Sequence, residues 1–114
     1  MEDGISKMKF PVSLLTKLAS KSHHPRFYHS SIVVRGGAII SQGYNHDKIH
    51  SEIDALTNLW PNRRAGSTII NLRINRSGGF ANSRPCRECY DFLIANGIKR
   101  IYYTNKIGIF EEMK

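Results

Sequence analysis

The sequence predicts a three-layer α/β fold, in which one mixed sheet of four to five strands carries helices on both faces. Three observations support this prediction. Segments with helical and with strand spacing follow one another in the order α-β-β-α-β-α-β. A Gly36-Gly37 pair between two apolar runs indicates an antiparallel hairpin. The later strands are separated by helices, which favours parallel pairing. We interpret residues 1–114 as one domain, because the chain shows no internal repeat or linker.

The first half of the chain predicts a helix followed by the hairpin. Residues 10–22, FPVSLLTKLASKS, repeat apolar side chains at close to a helical period, and Pro11 suits a first helical turn. The β-branched residues 32–34 and the apolar run 38–41 flank the two glycines and predict the paired strands.

A second helix is predicted from His50. Its apolar residues recur at intervals of three and four, at Ile53, Leu56, Leu59 and Trp60. This pattern places Trp60 in the core rather than on the surface as a platform for a nucleic-acid base. The following PNRRAG segment ends the helix.

The second half continues with a strand, a loop, a helix and a strand. Residues 67–75, STIINLRIN, have strand composition, and residues 76–83, RSGGFANS, read as a glycine-containing loop. A third helix is predicted to begin at Pro85 and to stop at Asn96-Gly97. Residues 98–105, IKRIYYTN, are the last predicted strand.

Composition favours a soluble domain with anionic partners. The chain carries 17 Lys and Arg against 9 Asp and Glu, a net charge of +8. Mean hydropathy is -0.37, no apolar run is long enough to cross a membrane, and the polar start is not typical of a secretory signal. We therefore expect a cytoplasmic protein without a membrane partner. The only adjacent basic pairs are Arg63-Arg64 and Lys99-Arg100, so the sequence alone does not distinguish a nucleic-acid surface from a solvated basic one.

Three residues have the chemistry of a zinc site. His50 opens the second helix, and Cys86 and Cys89 lie at the start of the third, where both sulfurs share one helix face. In an α/β fold these helix starts tend to converge on one rim of the sheet, and a helix N-terminus favours the thiolates that bind zinc. Three protein ligands leave a fourth position for water, which is typical of a catalytic zinc. Glu52, two residues after His50, is placed to accept and return a proton.

The pattern H-S-E at residues 50–52 followed by P-C-R-E-C at residues 85–89 resembles the zinc-dependent cytidine and deoxycytidylate deaminase superfamily. The resemblance implies a cytidine-deaminase-like fold and a Zn²⁺ cofactor held by His50, Cys86 and Cys89. It also implies that Glu52 shuttles the proton while a cytosine ring is converted to uracil and ammonia leaves. The chain looks most like a compact deoxycytidylate-type member.

Substrate contacts are predicted at Asn45, Phe80 and Ser83. The resemblance gives Asn45, at the end of SQGYN, a hydrogen bond to the substrate sugar, whereas a turn residue after Gly43 is the alternative. Phe80 and Ser83 lie in the loop that enters the metal helix, where Phe80 either stacks on a base or anchors the loop. Phosphate contacts are possible at three arginines, Arg26, Arg76 and Arg84.

Other interpretations stay open at this point. The cysteines also suit a redox dithiol, and a fourth ligand from His23, His24, His29 or His46 would make the zinc structural. The substrate is expected to be a cytosine-bearing nucleotide or nucleoside, and the alternative is single-stranded DNA or RNA, including adenosine in tRNA. A non-enzymatic nucleic-acid-binding module with structural zinc is a further alternative. Only about ten residues follow IYYTN, so the further strand and helices that longer members of the superfamily carry are expected to be shortened or missing. We therefore expect the chain to form a homo-oligomer, which would cover exposed surface and complete the pocket.

Overall fold

The computed structural model describes residues 10–24 and 27–113. Within these residues the chain forms three α-helices and six strands, with a 3₁₀ turn at Pro61–Arg63. The helices are α1 (Val12–Ala19), α2 (Ser51–Thr57) and α3 (Arg87–Ala95). The strands are β1 (Tyr28–Arg35), β2 (Ala38–Tyr44), β3 (Thr68–Ile74), β4 (Phe80–Ala81), β5 (Arg100–Thr104) and β6 (Phe110–Glu112).

The strands form one mixed sheet in the order β2-β1-β3-β5-β6, and β4 pairs with the end of β3. The glycine hairpin joins β1 to β2 in antiparallel pairing, with a register shift between Val33 and Val34. Strands β3 and β5, which are connected through α3, are parallel. Both features were predicted from the sequence, and the mixed α/β sheet is confirmed.

Helices cover both faces of this sheet because successive strand residues point to opposite sides. On one face α1 packs its buried residues, among them Leu15 and Leu18, against Ile32, Ile70 and Leu72. The other face carries α2 and α3. Its core contains Val33, Ala55, Leu56, Leu59, Ile69, Leu93, Ile98 and Ile101. The predicted three-layer arrangement is therefore confirmed.

Three details differ from the prediction. The sheet has six strands rather than four to five, because Phe80–Ala81 in the predicted loop pairs with β3 and a short strand follows the last predicted one. Helices α2 and α3 begin one and two residues after the predicted starts. Trp60 was predicted in the core, and this was wrong: α2 ends at Thr57, the chain turns, and the indole is 78% exposed.

Within the described ranges, the helices have seven to nine residues. None of them is long and apolar enough to cross a membrane.

Candidate metal and catalytic site

Three predicted ligands meet at the starts of α2 and α3. His50 and Cys86 are the residues that precede the first turns of these helices, with extended backbones that turn both side chains towards the same rim. His50 Nδ1 lies 3.0 Å from Cys89 Sγ and 3.8 Å from Cys86 Sγ. All three ligand atoms lie within 4.8 Å of one another.

This cluster fits zinc. A tetrahedral Zn²⁺ with bonds of about 2.1–2.3 Å requires ligand atoms roughly 3.5–3.8 Å apart, close to the separations of this nitrogen and the two sulfurs. One imidazole and two thiols are a donor set that zinc prefers. Among the described residues, His50, Cys86 and Cys89 are the only group of three or more metal-binding side chains. The alternative fourth ligands His23, His24, His29 and His46 are not part of it.

Glu52 lies beside the cluster and is held by buried polar side chains. Its side chain is 5% exposed. Glu52 Oε2 accepts a hydrogen bond of 3.1 Å from Asn71 Nδ2 on β3, and Glu52 Oε1 accepts one of 3.3 Å from Ser51 Oγ. Ser31 on β1 completes the network, because its Oγ donates to Asn71 Oδ1 at 2.6 Å and lies 2.8 Å from Ser51 Oγ. The carboxylate therefore has fixed partners on β3 and on its own helix, and Ser31 on β1 holds both of these partners.

Burial dominates the electrostatics of these groups. Loss of hydration raises the pKa of Glu52 above its ordinary value, although His50 and the hydrogen bonds from Ser51 and Asn71 oppose the shift. Burial, and then the negative charge of Glu52, raises the pKa of the Cys89 thiol. Zinc binding must therefore displace a proton from this cysteine, so metal affinity should rise with pH.

A cavity of about 880 Å³ opens over the cluster, and His50, Glu52 and Cys86 form part of its wall. Opposite them, the Arg73 guanidinium lies 4.4 Å from the centre of the Phe27 ring. Arg73 Nε is buried, and it has no hydrogen-bond partner among the described residues. His29, directly across the strand pair from Arg73, has its pKa lowered to about 4 by burial and then by that arginine, so its imidazole is neutral at pH 7.

The rim of the cavity is formed by a tight turn that leads into His50. Asp47 and Lys48 adopt positive φ, and His46 and Ile49 bridge across the turn. His46 Nε2 donates to Asp54 Oδ1 at 2.9 Å, which attaches the turn to α2. The hydrogen bonds to Asp54 and then to Asp47 raise the pKa of His46.

The predicted substrate contacts occupy different places. Asn45 lines the cavity, but its Oδ1 accepts from His29 N at 2.9 Å and its Nδ2 donates to Phe27 O at 2.8 Å. Ser83 is buried, and its Oγ donates to Asn71 O at 3.1 Å and accepts from Thr104 N at 2.7 Å.

Phe80 is not brought to the cluster. It packs with the core on the α1 face of the sheet, on the far side from the metal ligands. Neither Phe80 nor Ser83 lines the cavity, so substrate contacts by these two residues remain predictions from the sequence alone. Of the three arginines suggested for phosphate, Arg84 lines the cavity, Arg76 does not, and Arg26 lies outside the described residues.

Sequence reasoning missed Asn71 and Arg73. Both interrupt the apolar strand TIINLRI, and a polar side chain within a central strand is itself a signal of a functional role, because burying such a group without a partner is costly. Because side chains alternate between the two faces of a strand, both residues also lie on the face of β3 that is covered by α2 and α3, the helices that position the metal ligands.

Comparison with known proteins agrees with this site. A family model described as the cytidine and deoxycytidylate deaminase zinc-binding region matches residues 6–105. No protein of curated function matches the chain in sequence.

Solved structures share the fold. The dCMP deaminase from the cyanophage S-TIM5 in apo form has a TM-score of 0.63 and 21% identity, covering 87% of this chain and 86% of that one. Its complex with dCMP and dUMP has a TM-score of 0.65 and 19% identity, covering 93% and 85%. RibD from Acinetobacter baumannii has a TM-score of 0.61 and 17% identity, with 82% of this chain matching only 26% of RibD. At these identities the structural likeness establishes the fold.

Proposed function

The chain belongs to the cytidine and deoxycytidylate deaminase family, whose zinc-binding region it matches over residues 6–105, and we propose that it hydrolytically deaminates a cytosine-bearing nucleotide. The observation that carries the proposal is the position of Glu52. A buried carboxylate on the wall of the cavity that also contains His50 and Cys86 has no use in a purely structural zinc site.

His50, Cys86 and Cys89 would hold the metal. When bound, Zn²⁺ supplies Lewis acidity that makes water a nucleophile near neutral pH. Glu52 takes one proton from the attacking water and delivers it to the ring nitrogen as the C4–O bond forms. It then passes the second proton of that water to the amine as the C4–N4 bond breaks, so cytosine and water yield uracil and ammonia.

The surroundings of Glu52 suit this task. A carboxyl whose pKa is raised by burial holds a proton at higher pH than an ordinary glutamate does, which favours both accepting and returning it near neutrality. Asn71 and Ser51 orient the two oxygens, so the carboxylate does not need to reorganise between the two transfers.

The charges of the cavity favour a phosphate-bearing substrate. Lys48, Arg73 and Arg84 lie on its wall. A guanidinium whose buried Nε lacks a partner within the described residues is suited to an anionic oxygen. This feature supports a nucleotide over a nucleoside. The S-TIM5 enzyme, whose structure contains dCMP and dUMP, supports the same substrate class by analogy.

Ammonia release from a panel of substrates tests the proposal. The zinc-loaded protein, with its zinc content measured, is offered cytidine, deoxycytidine, their monophosphates, single-stranded DNA and tRNA. We expect turnover of a cytosine monophosphate with a higher kcat/KM than that of its nucleoside. Arg73→Gln should raise KM for the monophosphate and leave the nucleoside little changed.

Variants separate catalysis from metal binding. Glu52→Gln should retain zinc but lose at least about a hundredfold in kcat, whereas Cys86→Ala should lose both. Glu112→Gln, on the edge strand, is the matched control and should behave as wild type. Full turnover by Glu52→Gln would overturn the proton-transfer role, and turnover of the polymers alone would favour a nucleic-acid substrate.

A further inference from the structure

A basic surface lies at the end of the sheet opposite the cavity. We define it by the exposed residues Arg35, Trp60, Arg63, Lys99 and Arg100 and call it the basic end. The cavity residues His29 and Arg73 lie near the opposite ends of β1 and β3. At about 3.3 Å per residue, the six residues from His29 to Arg35 separate the two sites by about 20 Å.

Backbone pairing brings distant basic segments together here. In neighbouring strands, Val34 lies opposite Thr68, and Thr68 lies beside Arg100. Lys99 N donates to Ser67 O at 2.8 Å. The Arg35 guanidinium reaches Arg63 O at 3.5 Å, which joins the end of β1 to the turn after α2. Arg63 and the Lys99-Arg100 pair, which are far apart in the sequence, thus belong to one surface.

Negative charge is absent from the segments that build the basic end. Residues 28–46, 55–68 and 92–110 contain no Asp or Glu. The acidic residue that comes closest in strand register is Glu112, opposite Tyr102, which is two residues beyond Arg100. No ion pair between described residues involves the four cations. Arg64 differs from its neighbour, because its guanidinium donates to Leu59 O and to Asn96 Oδ1 and braces the turn internally.

Trp60 gives this surface an aromatic face. It is the single tryptophan of the chain and is 78% exposed. Its carbonyl accepts a 2.9 Å hydrogen bond from Arg63 N, and Pro61 follows it directly, so the backbone that carries the indole is held in a short 3₁₀ turn. An exposed, anchored indole beside several cations is the combination that binds single-stranded nucleic acids: the ring stacks on a base and the cations contact the phosphates.

We propose that the basic end is a docking surface for single-stranded nucleic acid, separate from the metal-centred cavity. Arg35, Arg63, Lys99 and Arg100 contact the backbone and Trp60 stacks on one base. Binding here does not depend on the proposed deaminase activity, because no residue of the basic end lines the cavity. A strand is favoured over an anionic membrane because the cations accompany one exposed planar aromatic ring on a hydrogen-bonded turn, without the amphipathic helix that interfacial binding typically uses.

Trp60 itself reports the binding. Addition of a short oligothymidylate to the zinc-loaded protein should quench the intrinsic tryptophan fluorescence at low ionic strength. Each neutralised phosphate contributes about −0.7 to the slope of log K against log salt, so four cations predict a slope of up to about −3. The same titration with vesicles of phosphatidylcholine and phosphatidylserine tests a membrane as the partner.

Variants locate the site independently of fluorescence. With a dye-labelled oligonucleotide followed by anisotropy, Trp60→Ala should weaken binding at least about fivefold, and Trp60→Phe should restore much of it. Arg63→Glu with Lys99→Glu should weaken binding by about tenfold or more. Lys21→Glu with Lys106→Glu makes the same change in net charge at other exposed positions and should cost much less. Glu52→Gln should bind as wild type does.

Several outcomes would overturn the proposal. These are an unquenched Trp60, equal losses in the two double variants, and a Trp60 signal that responds to the vesicles but not to the oligonucleotide. Circular dichroism of each variant establishes that it is folded. If the zinc-loaded protein shows no deaminase activity but the oligonucleotide still quenches Trp60 fluorescence, the proposed function is rejected and the docking surface is supported.

Discussion

Replacement of Asn71 by leucine is the sharpest test of the network that holds Glu52. The two side chains have the same number of heavy atoms and the same branched shape, so the change removes hydrogen bonds without opening a cavity. Asn71→Leu deletes the 3.1 Å donor to Glu52 Oε2 and the 2.6 Å acceptor of Ser31 Oγ. Ser31 retains Ser51 Oγ at 2.8 Å, whereas Glu52 retains its own backbone N–H and the longer contact to Ser51.

These losses set the expected magnitude. A buried polar group that loses its partner costs about 1–3 kcal/mol, and a charged one costs more. Ser31 belongs at the low end of this range and Glu52 at the high end, so the free energy of unfolding should fall by about 2–4 kcal/mol. Because small domains have about 5–15 kcal/mol in total, Asn71→Leu should still fold.

Urea denaturation of the zinc-free protein measures this loss, and the variant should also show a lower kcat when it is loaded with zinc. Asn62→Leu, at an exposed position in the turn after α2, is the matched control and should change stability by no more than about 0.5 kcal/mol. A loss at Asn71 no larger than that of the control, together with an unchanged kcat, would refute the role of Asn71 in supporting Glu52.

Three further predictions concern acid stability, the approach of β2 to α2, and the metal. The pKa of His29 is about 4 when folded and 6.5 when unfolded, so the unfolded chain binds the extra proton. Stability should therefore fall by about 3 kcal/mol as the pH drops from about 6.5 to 4, and His29→Gln should flatten this dependence in urea titrations at several pH values. Gly43→Ala places a methyl group 2.5 Å from Ala55 N and should cost about 1–3 kcal/mol in thermal unfolding, whereas Gly79→Ala, which meets only a flexible amide at 3.3 Å, should cost less. Removal of zinc with a chelator should lower the unfolding temperature and allow a thiol reagent to modify Cys86, and re-addition of zinc should reverse both effects.

The layered fold and the metal cluster were predictable because they depend on local signals. Strand and helix periods, the glycine hairpin, and turn residues identify the elements, and the connection through α3 accounts for the parallel pairing of β3 and β5. The same topology brings the starts of α2 and α3 to one rim. The spacing of His50, Cys86 and Cys89 was therefore sufficient to predict that they meet.

What was not predictable depends on long-range packing. Asn71 becomes a partner of Glu52 only because β3 passes beneath α2. Strand composition alone does not show which residue the Asn71 side chain contacts. Trp60 matched the helical period, but α2 stops three residues earlier, so the periodicity no longer decided which side the indole faces. The pairs β3–β4 and β5–β6 involve two and three residues, too few for a strand pattern to appear in the sequence.

The two ends of the sheet handle polar groups in opposite ways, and this difference separates their proposed roles. At the cavity end, Ser31, Ser51, Glu52 and Asn71 are buried and satisfy one another, which holds a reactive carboxylate in one orientation. At the other end the cations remain solvated, and such groups attract a polyanion at long range without specifying its sequence. Chemistry requires the first arrangement and docking requires the second. A polymer bound at the basic end and a base bound in the cavity would be about 20 Å apart, so one strand can occupy both sites only if it spans several nucleotides.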